Sequence, residues 1–250
     1  MRKIVVGFSG GVTSAWCAGW ALQNFPREEV VLLWHDTKEE DEDTYRFKDQ
    51  MAAALGMPIT ERSDGRSVTE VARDEGKLPN DMSAFCSRIL KQEQGNKYIC
   101  DLQQEGYDEI IRVIGYSAME PSRVQFATAL GWKQSSFFCN VYPRFPLIET
   151  NTTKQQCWDW CNCTMGVTPP RMYEWSDHAN CPGCFRGGKD YWLAVKRNMP
   201  EVFERRKALE EEFGFTIING CSLVQLETDG LKRKVNRKEK ITIGSCECGS

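Results

Sequence analysis

A short apolar run that ends in two glycines constrains this sequence more than any other feature. Residues 3–8 (KIVVGF) are apolar and β-branched, which is typical of a strand buried in a sheet. The segment Ser9-Gly10-Gly11-Val12-Thr13-Ser14 follows directly, and residues 13–24 have the pattern of a helix. Glycine lets the backbone approach a ligand closely, and the N-terminus of a helix favours an anion. The segment therefore predicts a phosphate-binding turn formed by Ser9, Gly10, Gly11, Thr13 and Ser14.

This turn is neither of two common phosphate loops. It lacks the G-x-x-x-x-G-K-[ST] spacing of the Walker A loop and the G-x-G-x-x-G spacing of dinucleotide-binding folds. The alternative is an ordinary tight connection between a strand and a helix.

Strand and helix patterns then alternate along the first half of the chain. Further strands are predicted at 30–35, 57–62, 109–116 and 137–148, and helices at 43–55, 66–76 and 87–104. Such alternation predicts an α/β fold with a parallel sheet flanked by helices, whose ligands bind at the carboxyl ends of the strands. Polar clusters do follow three strands, at residues 9–14, 35–37 and 115–123.

The composition changes near residue 150. Residues 151–187 are crowded with Trp, Cys, Pro and Asn, and residues 188–213 have a helical pattern interrupted near Pro200. We predict a nucleotide-binding domain over residues 1–150 and a Cys-rich, mainly helical C-terminal portion over residues 151–250.

The twelve cysteines are unevenly distributed. The N-terminus lacks the pattern of a secretory signal, so we expect a cytoplasmic protein with reduced thiols rather than a disulfide framework. Cys181-Pro182-Gly183-Cys184 is a C-x-x-C turn, and Cys157, Cys161 and Cys163 lie about twenty residues upstream. Zinc and a [4Fe–4S] cluster both accept four thiolates, and a metal-free structural cluster is the third possibility.

The charge pattern limits the classes of partner. The net charge is -3, which argues against a polycation that coats nucleic acid, and no apolar run is long enough for a spanning helix. Basic residues concentrate at 231–240, where Lys232, Arg233, Lys234, Arg237 and Lys238 form either a solvated segment or a local phosphate-contacting patch.

Several segments resemble the phosphoadenosine-phosphosulfate (PAPS) reductase family of the PP-loop superfamily, of the kind common in phages and DNA-modification systems. The turn at 9–14 is similar to the SGGxxS pyrophosphate loop of that superfamily. His35-Asp36-Thr37, with Glu40 and residues 44–47, resembles the family's DTGxExxETYxF segment, although Lys38 replaces the glycine. The later matches, in family order, are Cys86 to Lys91 with C-[ST]-x-x-x-K, Gly115 to Arg123 with G-x-[SR]-x-x-E-x-x-R, and Pro146-Leu147-Ile148 with PL-[IV].

The resemblance implies a Rossmann-like PP-loop fold and a set of functional residues. ATP or PAPS, with Mg²⁺, is the implied nucleotide; Asp36 and Thr37 join the phosphate turn as binding residues. Lys91 and Arg123 supply positive charge for the phosphates, and Glu120 holds Mg²⁺ or orients Arg123. Family members that modify nucleic acids carry a cluster cysteine after PL-[IV] and then a C-x-x-C, here Cys157, Cys181 and Cys184.

The fourth ligand is open among Cys161, Cys163, Cys221, Cys246 and Cys248, with His178 as a substitute in a zinc site. If Cys157 starts a helix, Cys161 shares its face, which favours Cys161. We therefore expect Cys157, Cys161, Cys181 and Cys184 to hold one [4Fe–4S] cluster, with Zn²⁺ as the alternative.

Three functions follow from the resemblance. The first is an ATP pyrophosphatase that adenylates a substrate, such as a nucleobase or nucleic acid, for sulfur transfer or modification. The second is a thiol-dependent PAPS reductase, for which Cys248 in the terminal Glu-Cys-Gly would be the nucleophile, although the histidine of that motif is absent. The third is a non-catalytic nucleotide-binding protein. The expected partners are an adenine nucleotide and a second copy of the chain, with no membrane.

Overall fold

Five parallel strands form one sheet in the order β3-β2-β1-β4-β5. The computed structural model describes residues 1–80, 83–135 and 140–230, without the side chains of residues 130–135. The strands are β1 (Arg2–Gly7), β2 (Val30–Asp36), β3 (Ile59–Ser63), β4 (Glu109–Val113) and β5 (Asn140–Arg144). The chain moves outward from β1 to β3, then returns to the other side of β1 with β4. The carboxyl ends of β1 and β4 therefore flank the point where the strand order reverses.

Helices cover both faces of the sheet. Ile4 and Val6 of β1 face one core, and Val5 between them faces another, as the period of two in a strand requires. The first face packs against α1 (Val12–Asn24) and α2 (Glu42–Leu55), and the second against α5 (Gln94–Gln104). Burial on both faces explains why the strands are almost continuously apolar.

The remaining helices of the first half connect these layers. They are α3 (Val68–Asp74), α4 (Phe85–Ser87), which continues through a π-helical turn at Arg88–Glu93 into α5, and α6 (Pro121–Ser135), which packs beside β5. Local signals define the ends of α2: the Asp41 side chain accepts from the N–H of Asp43, and Gly56 closes the helix with φ +64°.

A second core forms in the C-terminal half. The helices of this half are α7 (Pro146–Glu149), α8 (Lys154–Asp159), α9 (Lys189–Asn198), α10 (Pro200–Phe213) and α11 (Leu223–Asp229), of which the last three form the second core. Trp192 and Phe203 are fully buried between α9 and α10, together with residues of α3 and α4. In contrast, Cys157 and Trp158 of α8 pack into the first core beneath α1.

The predicted fold class is confirmed as an α/β protein with a parallel, helix-flanked sheet. Each predicted strand is present within a few residues of its predicted bounds, and Pro200 separates α9 from α10 as expected. The sequence patterns did not predict α6. The division at residue 150 stays a prediction. None of the helices within the described ranges is long and apolar enough to span a membrane.

Candidate functional site

A cavity of about 930 Å³ opens at the carboxyl ends of β1, β2 and β4. The turn at 9–14 forms its floor, and residues 115–120 after β4 form a second wall. A third wall comes from residues 151–155, Tyr173 and residues 177–180 of the C-terminal half. The site residues predicted from sequence that line this cavity are Ser9, Gly11, Thr13, Ser14, Lys91, Glu120 and Arg123. The topology therefore brings together three segments that are far apart in sequence.

The turn at 9–14 presents backbone donors at the start of α1. The N–H groups of Gly11, Thr13 and Ser14 have no hydrogen-bond partner among the described residues. Gly11, at the N-cap, has no side chain that could cap them. The helix dipole and these donors make the turn suited to an anion. This geometry is what the sequence pattern predicts for a phosphate loop.

The serine hydroxyls of the turn are used to hold its shape. The Ser14 Oγ donates to the carbonyl of Gly11 at 2.8 Å and accepts from the N–H of Ser9 at 3.1 Å. Gly10 has φ +74°, and a Cβ there would lie 2.6 Å from the Thr44 side chain. Glycine is thus required at position 10 by both conformation and space.

The loop after β4 lies directly against the phosphate turn. A Cβ on Gly115 would lie 3.2 Å from the carbonyl carbon of Thr13 and 3.3 Å from the amide nitrogen of Ser14. Farther along this loop, the guanidinium of Arg123 lies 4.1 Å from the centre of the Tyr116 ring and pairs with Glu120. The Glu120 carboxylate also accepts from the N–H of Ser117 at 3.2 Å. The sequence predicts two roles for Glu120, which are to hold Mg²⁺ or to orient Arg123, and this geometry supports the second.

Asp36 and Thr37, predicted to bind nucleotide, are buried beside the cavity and do not line it. Asp36 accepts from the Tyr45 hydroxyl at 2.5 Å and from the N–H of Lys38 at 2.9 Å, and it pairs with the Lys38 ammonium at 2.8 Å. Burial opposes ionisation, but these hydrogen bonds and the ammonium lower the pKa of Asp36 overall. Lys38 has φ +59°, the conformation that the family glycine would adopt without strain. The replacement of the family glycine by Lys38 therefore keeps the loop shape and adds the ion pair with Asp36.

Lys91 joins the cavity to the C-x-x-C turn through Glu40. The Glu40 Oε1 accepts from Lys91 Nζ at 3.1 Å, from the Thr37 hydroxyl at 3.1 Å and from the Cys181 thiol at 3.3 Å. Burial favours the neutral amine, but the Glu40 carboxylate raises the pKa of Lys91 overall. Burial and Glu40 raise the pKa of Cys181, so its thiol stays protonated and donates. A charged ammonium therefore remains at the cavity wall.

Unpartnered polar atoms cluster around the carboxyl end of β2. Five buried side-chain atoms lack a hydrogen-bond partner in the described part of the chain, and only Trp192 Nε1 lies elsewhere. The others are Trp34 Nε1, His35 Nε2, Glu40 Oε2 and Thr44 Oγ1. Trp34 and His35 point to opposite faces of the sheet, and Thr44 does not line the cavity. Since buried polar groups are nearly always hydrogen-bonded, the unpartnered Glu40 Oε2 on the cavity wall is suited to contact a polar ligand.

The four cysteines predicted to hold one cluster lie in two separate groups. Cys157 and Cys161 are fully buried in the core beside α1, near Cys17, and burial raises the pKa of Cys157 to about 12. Cys181 and Cys184 form the turn beside Glu40, where the neighbouring thiol is Cys86. Within residues 1–80, 83–135 and 140–230, no three Cys, His, Asp or Glu residues are grouped to hold a metal ion. The four predicted ligands therefore lie in two groups, because α8 and the π-helical turn Trp160–Thr164 direct Cys157 and Cys161 into the core under α1.

The other predicted ligands do not complete such a centre. Cys163 is not among the free cysteines of the described residues, and Cys221 lies in the second core. His178 is exposed at the cavity rim near Lys154. Cys246 and Cys248 lie outside the described residues, as do the basic residues Lys232, Arg233, Lys234, Arg237 and Lys238.

Two contributors to the site have no role predicted from the sequence. Glu40 is the glutamate of the segment that resembles DTGxExxETYxF. The Tyr173 hydroxyl accepts a hydrogen bond from the N–H of Val12 at 3.2 Å and lines the cavity, although it is 161 residues away in sequence. A tyrosine in a loop without periodicity gives no sequence signal for such a contact.

The phosphoadenosine phosphosulfate reductase domain matches residues 3–165, which include β1 to β5 and the whole phosphate turn. The chain belongs to this family. The match confirms the resemblance to the PAPS reductase family and defines a protein of the nucleotide-using kind. None of the curated proteins is similar enough to the chain to count as a match.

Proposed function

We propose that this protein binds an adenine nucleotide at the turn 9–14 and adenylates a second substrate. In that reaction an oxygen of the second substrate attacks the α-phosphorus of ATP, the bond from that phosphorus to the bridging oxygen breaks, and pyrophosphate leaves. The observation that carries the proposal is the row of unpartnered N–H groups at Gly11, Thr13 and Ser14. They face a cavity whose size is ample for a nucleotide with a second small group.

Charged side chains support this chemistry. Lys91 lies on one wall of the cavity and Arg123 on another, so both can neutralise the developing charge of the phosphates. Arg123 is held by Glu120 and by the face of Tyr116, which limits the orientations of its guanidinium. Fixed charges of this kind stabilise the leaving pyrophosphate without rearrangement during the reaction.

Glu40 fits the requirement for a magnesium ligand. Its Oε2 is buried, has no partner among the described residues and belongs to a carboxylate on the cavity wall. Mg²⁺ in nucleotide sites is held by one or two carboxylates together with the substrate phosphates. When bound, the ion would supply charge neutralisation at the phosphates, and Glu40 would hold it.

The test begins with binding and proceeds to turnover. Isothermal titration with ATP and with PAPS, each with Mg²⁺, identifies the nucleotide. Pyrophosphate release is then measured with free nucleobases, single-stranded DNA and RNA as second substrates. We expect ATP to bind and pyrophosphate to appear only when a competent second substrate is present. A folded protein that binds neither nucleotide would refute the proposal, and binding without any turnover would favour a non-catalytic nucleotide-binding protein.

A second candidate is favoured by the family match itself, since the matching domain is that of PAPS reductase. This reaction requires a thiol nucleophile, for which the sequence offers Cys248, outside the described residues. Deletion of residues 246–250 separates the two reactions: a reductase would lose activity, whereas an adenylating enzyme would keep pyrophosphate release. Thiol-dependent sulfite production from PAPS that is lost in Cys248→Ser would replace our proposal.

The iron–sulfur cluster stays a prediction, and no step above depends on it. The two cysteine groups provide its test, by iron, sulfide and zinc counts on anaerobically prepared variants. We expect any bound metal to be lost in Cys181→Ser and retained in Cys157→Ser, because Cys157 is enclosed in the core beside α1. Equal loss in both variants would show that the two groups share one centre.

A further inference from the structure

Tyr173 reaches the phosphate turn from the C-terminal half of the chain. It lies on a single 3₁₀ turn, Arg171–Glu174, beyond the residues matched by the family. Its side chain is 4% exposed, and its hydroxyl lies 3.2 Å from the amide nitrogen of Val12. A Cβ on Gly11 would lie 3.0 Å from the same hydroxyl. The hydroxyl therefore sits at the start of α1, against the proposed phosphate-binding groups.

The Tyr173 hydroxyl has a proton that it does not donate within the described structure. A phenol has one O–H donor and two acceptor positions. The N–H of Val12 donates to the oxygen. Across the described ranges, the Tyr173 O–H has no acceptor. The contact with Val12 thus uses the oxygen as acceptor, and the proton is left without a partner in a buried position.

The surroundings indicate where this proton can be donated. Tyr173 lines the cavity together with Ser9, Gly11 and Thr13, so the cavity beside the phosphate turn is open to it. Burial, with smaller effects of Cys161 and Cys157, raises the pKa of the phenol, which keeps the proton on the oxygen. A phosphate oxygen is a strong acceptor for such a donor.

We propose that Tyr173 is a phosphate-binding residue, whose O–H donates to a phosphate oxygen beside the N–H groups of Gly11, Thr13 and Ser14. This assignment rests on the proposed binding of a nucleotide at the turn. It adds to the loop of the family a donor that comes from outside the matched residues. One side of the bound phosphate would then be held by backbone and the other by this phenol.

Tyr173→Phe is the first test, because it removes the hydroxyl and keeps the ring. We expect at least a tenfold loss of ATP affinity by isothermal titration and unchanged affinity for adenosine, which has no phosphate. Tyr191→Phe is the matched control: Tyr191 donates its hydroxyl and accepts at the C-x-x-C turn, away from the cavity lining. Its ATP affinity should equal that of the wild type.

A second variant separates donation from the acceptor role toward Val12. Replacing Tyr173 by 3-fluorotyrosine makes the phenol a stronger donor and a weaker acceptor with little change of shape. Donation to phosphate predicts ATP affinity equal to or above that of the wild type, whereas a purely structural acceptor role predicts a loss. Wild-type affinity in folded Tyr173→Phe, or reduced affinity with fluorotyrosine, would overturn the inference. Absence of ATP binding by the wild type would instead refute the proposed function, and this inference with it.

Discussion

Glu40 is the residue at which the nucleotide cavity and the cysteine turn meet. One of its oxygens accepts from Lys91, Thr37 and Cys181, while the other has no partner among the described residues. A carboxylate in this position has opposite effects on two neighbours: it stabilises the Lys91 ammonium and opposes formation of the Cys181 thiolate. The protonation states of the cavity and of the C-x-x-C turn are therefore linked through one side chain.

Glu40→Gln should make Cys181 more reactive. The amide keeps the shape of the carboxylate but removes the negative charge, so the pKa of Cys181 should fall while Lys91 stays close by. We expect the rate of iodoacetamide modification of Cys181, followed by peptide mass spectrometry between pH 7 and 9, to rise roughly tenfold, as one pKa unit would give. Exposed Cys100 in the same samples provides the internal control. Identical pH profiles for Cys181 in both proteins would contradict the link.

The contrast between Lys91 and Tyr173 shows what a sequence can predict at this scale. Lys91 and Arg123 lie in motifs with fixed spacing, and the structure places both on the cavity wall. Tyr173 and the acceptor role of Glu40 depend on contacts between residues that are distant in sequence, by 161 positions for Tyr173 and Val12 and by 51 and 141 positions for Glu40, and no local spacing encodes them. The predicted cysteine ligands lie in two groups for a related reason. The i+4 spacing correctly puts Cys157 and Cys161 together, but it does not determine which way their helix faces.

The close approach of two loops is the main feature at the scale of elements. The segment after β4 contacts the backbone of the phosphate turn at Gly115, where only a hydrogen fits without displacement. Because both loops follow neighbouring parallel strands, their separation is set by the spacing of β1 and β4. Substitution at Gly115 therefore tests the assembly of the cavity without altering any proposed ligand.

Gly115→Ala should weaken nucleotide binding. The added Cβ would lie 3.2 to 3.3 Å from three backbone atoms of Thr13 and Ser14, and backbone cannot rotate away as a side chain can. We expect a loss of about 1–3 kcal/mol in stability, typical of overpacking, and a five- to fiftyfold loss of ATP affinity, measured by urea unfolding and calorimetry. Gly188→Ala is the matched control, since a Cβ there meets open space and its φ is -78°. Equal behaviour of the two variants would show that the approach of the loops is unimportant.

The elements themselves were largely predictable, for a clear physical reason. Buried parallel strands leave short apolar runs, and caps such as Gly56 mark where α2 ends. The helix α6 was not predicted because its sequence lacks a clear apolar stripe. It also begins at Pro121, within the segment that resembles G-x-[SR]-x-x-E-x-x-R. The π-helical turns at Arg88–Glu93 and Trp160–Thr164 have no recognisable pattern either.

At the scale of the whole molecule, the C-terminal half contributes to the cavity as well as to a core of its own. Arg206 of α10 is 4% exposed, donates to the carbonyl of Gly183 at 3.2 Å and to Thr69 at 2.9 Å, and pairs with Glu39. This buried cation holds the C-x-x-C turn against the loop after β2. Tyr173 and residues 177–180 add a cavity wall from the same half. The site is therefore complete only when both halves are folded together.

The stability of the whole molecule should fall as the pH drops from 7 to 5 because of His35. Its imidazole is partly buried at the end of β2, and burial, followed by the charges of Lys91 and Arg112, lowers its pKa to about 4. The unfolded chain takes up a proton near the ordinary value of 6.5, whereas the folded chain does not, so acid favours unfolding. By pH 5 the difference amounts to about 2 kcal/mol. Urea unfolding at pH 7.5, 6 and 5 measures it.

The variant His35→Gln isolates this contribution. The chain has two histidines, and the pKa of His178 is also lowered, chiefly by partial desolvation at the cavity rim, so the wild-type slope contains both. Subtracting the slope of His35→Gln cancels His178 and every carboxylate, and His178→Gln provides the complementary measurement. Between pH 7 and 5, the free energy of unfolding of His35→Gln should fall much less than that of the wild type, because the amide of glutamine cannot take up a proton in either state. An unchanged slope would mean that His35 is protonated alike in the folded and unfolded chain, and that the cations facing it do not act on it.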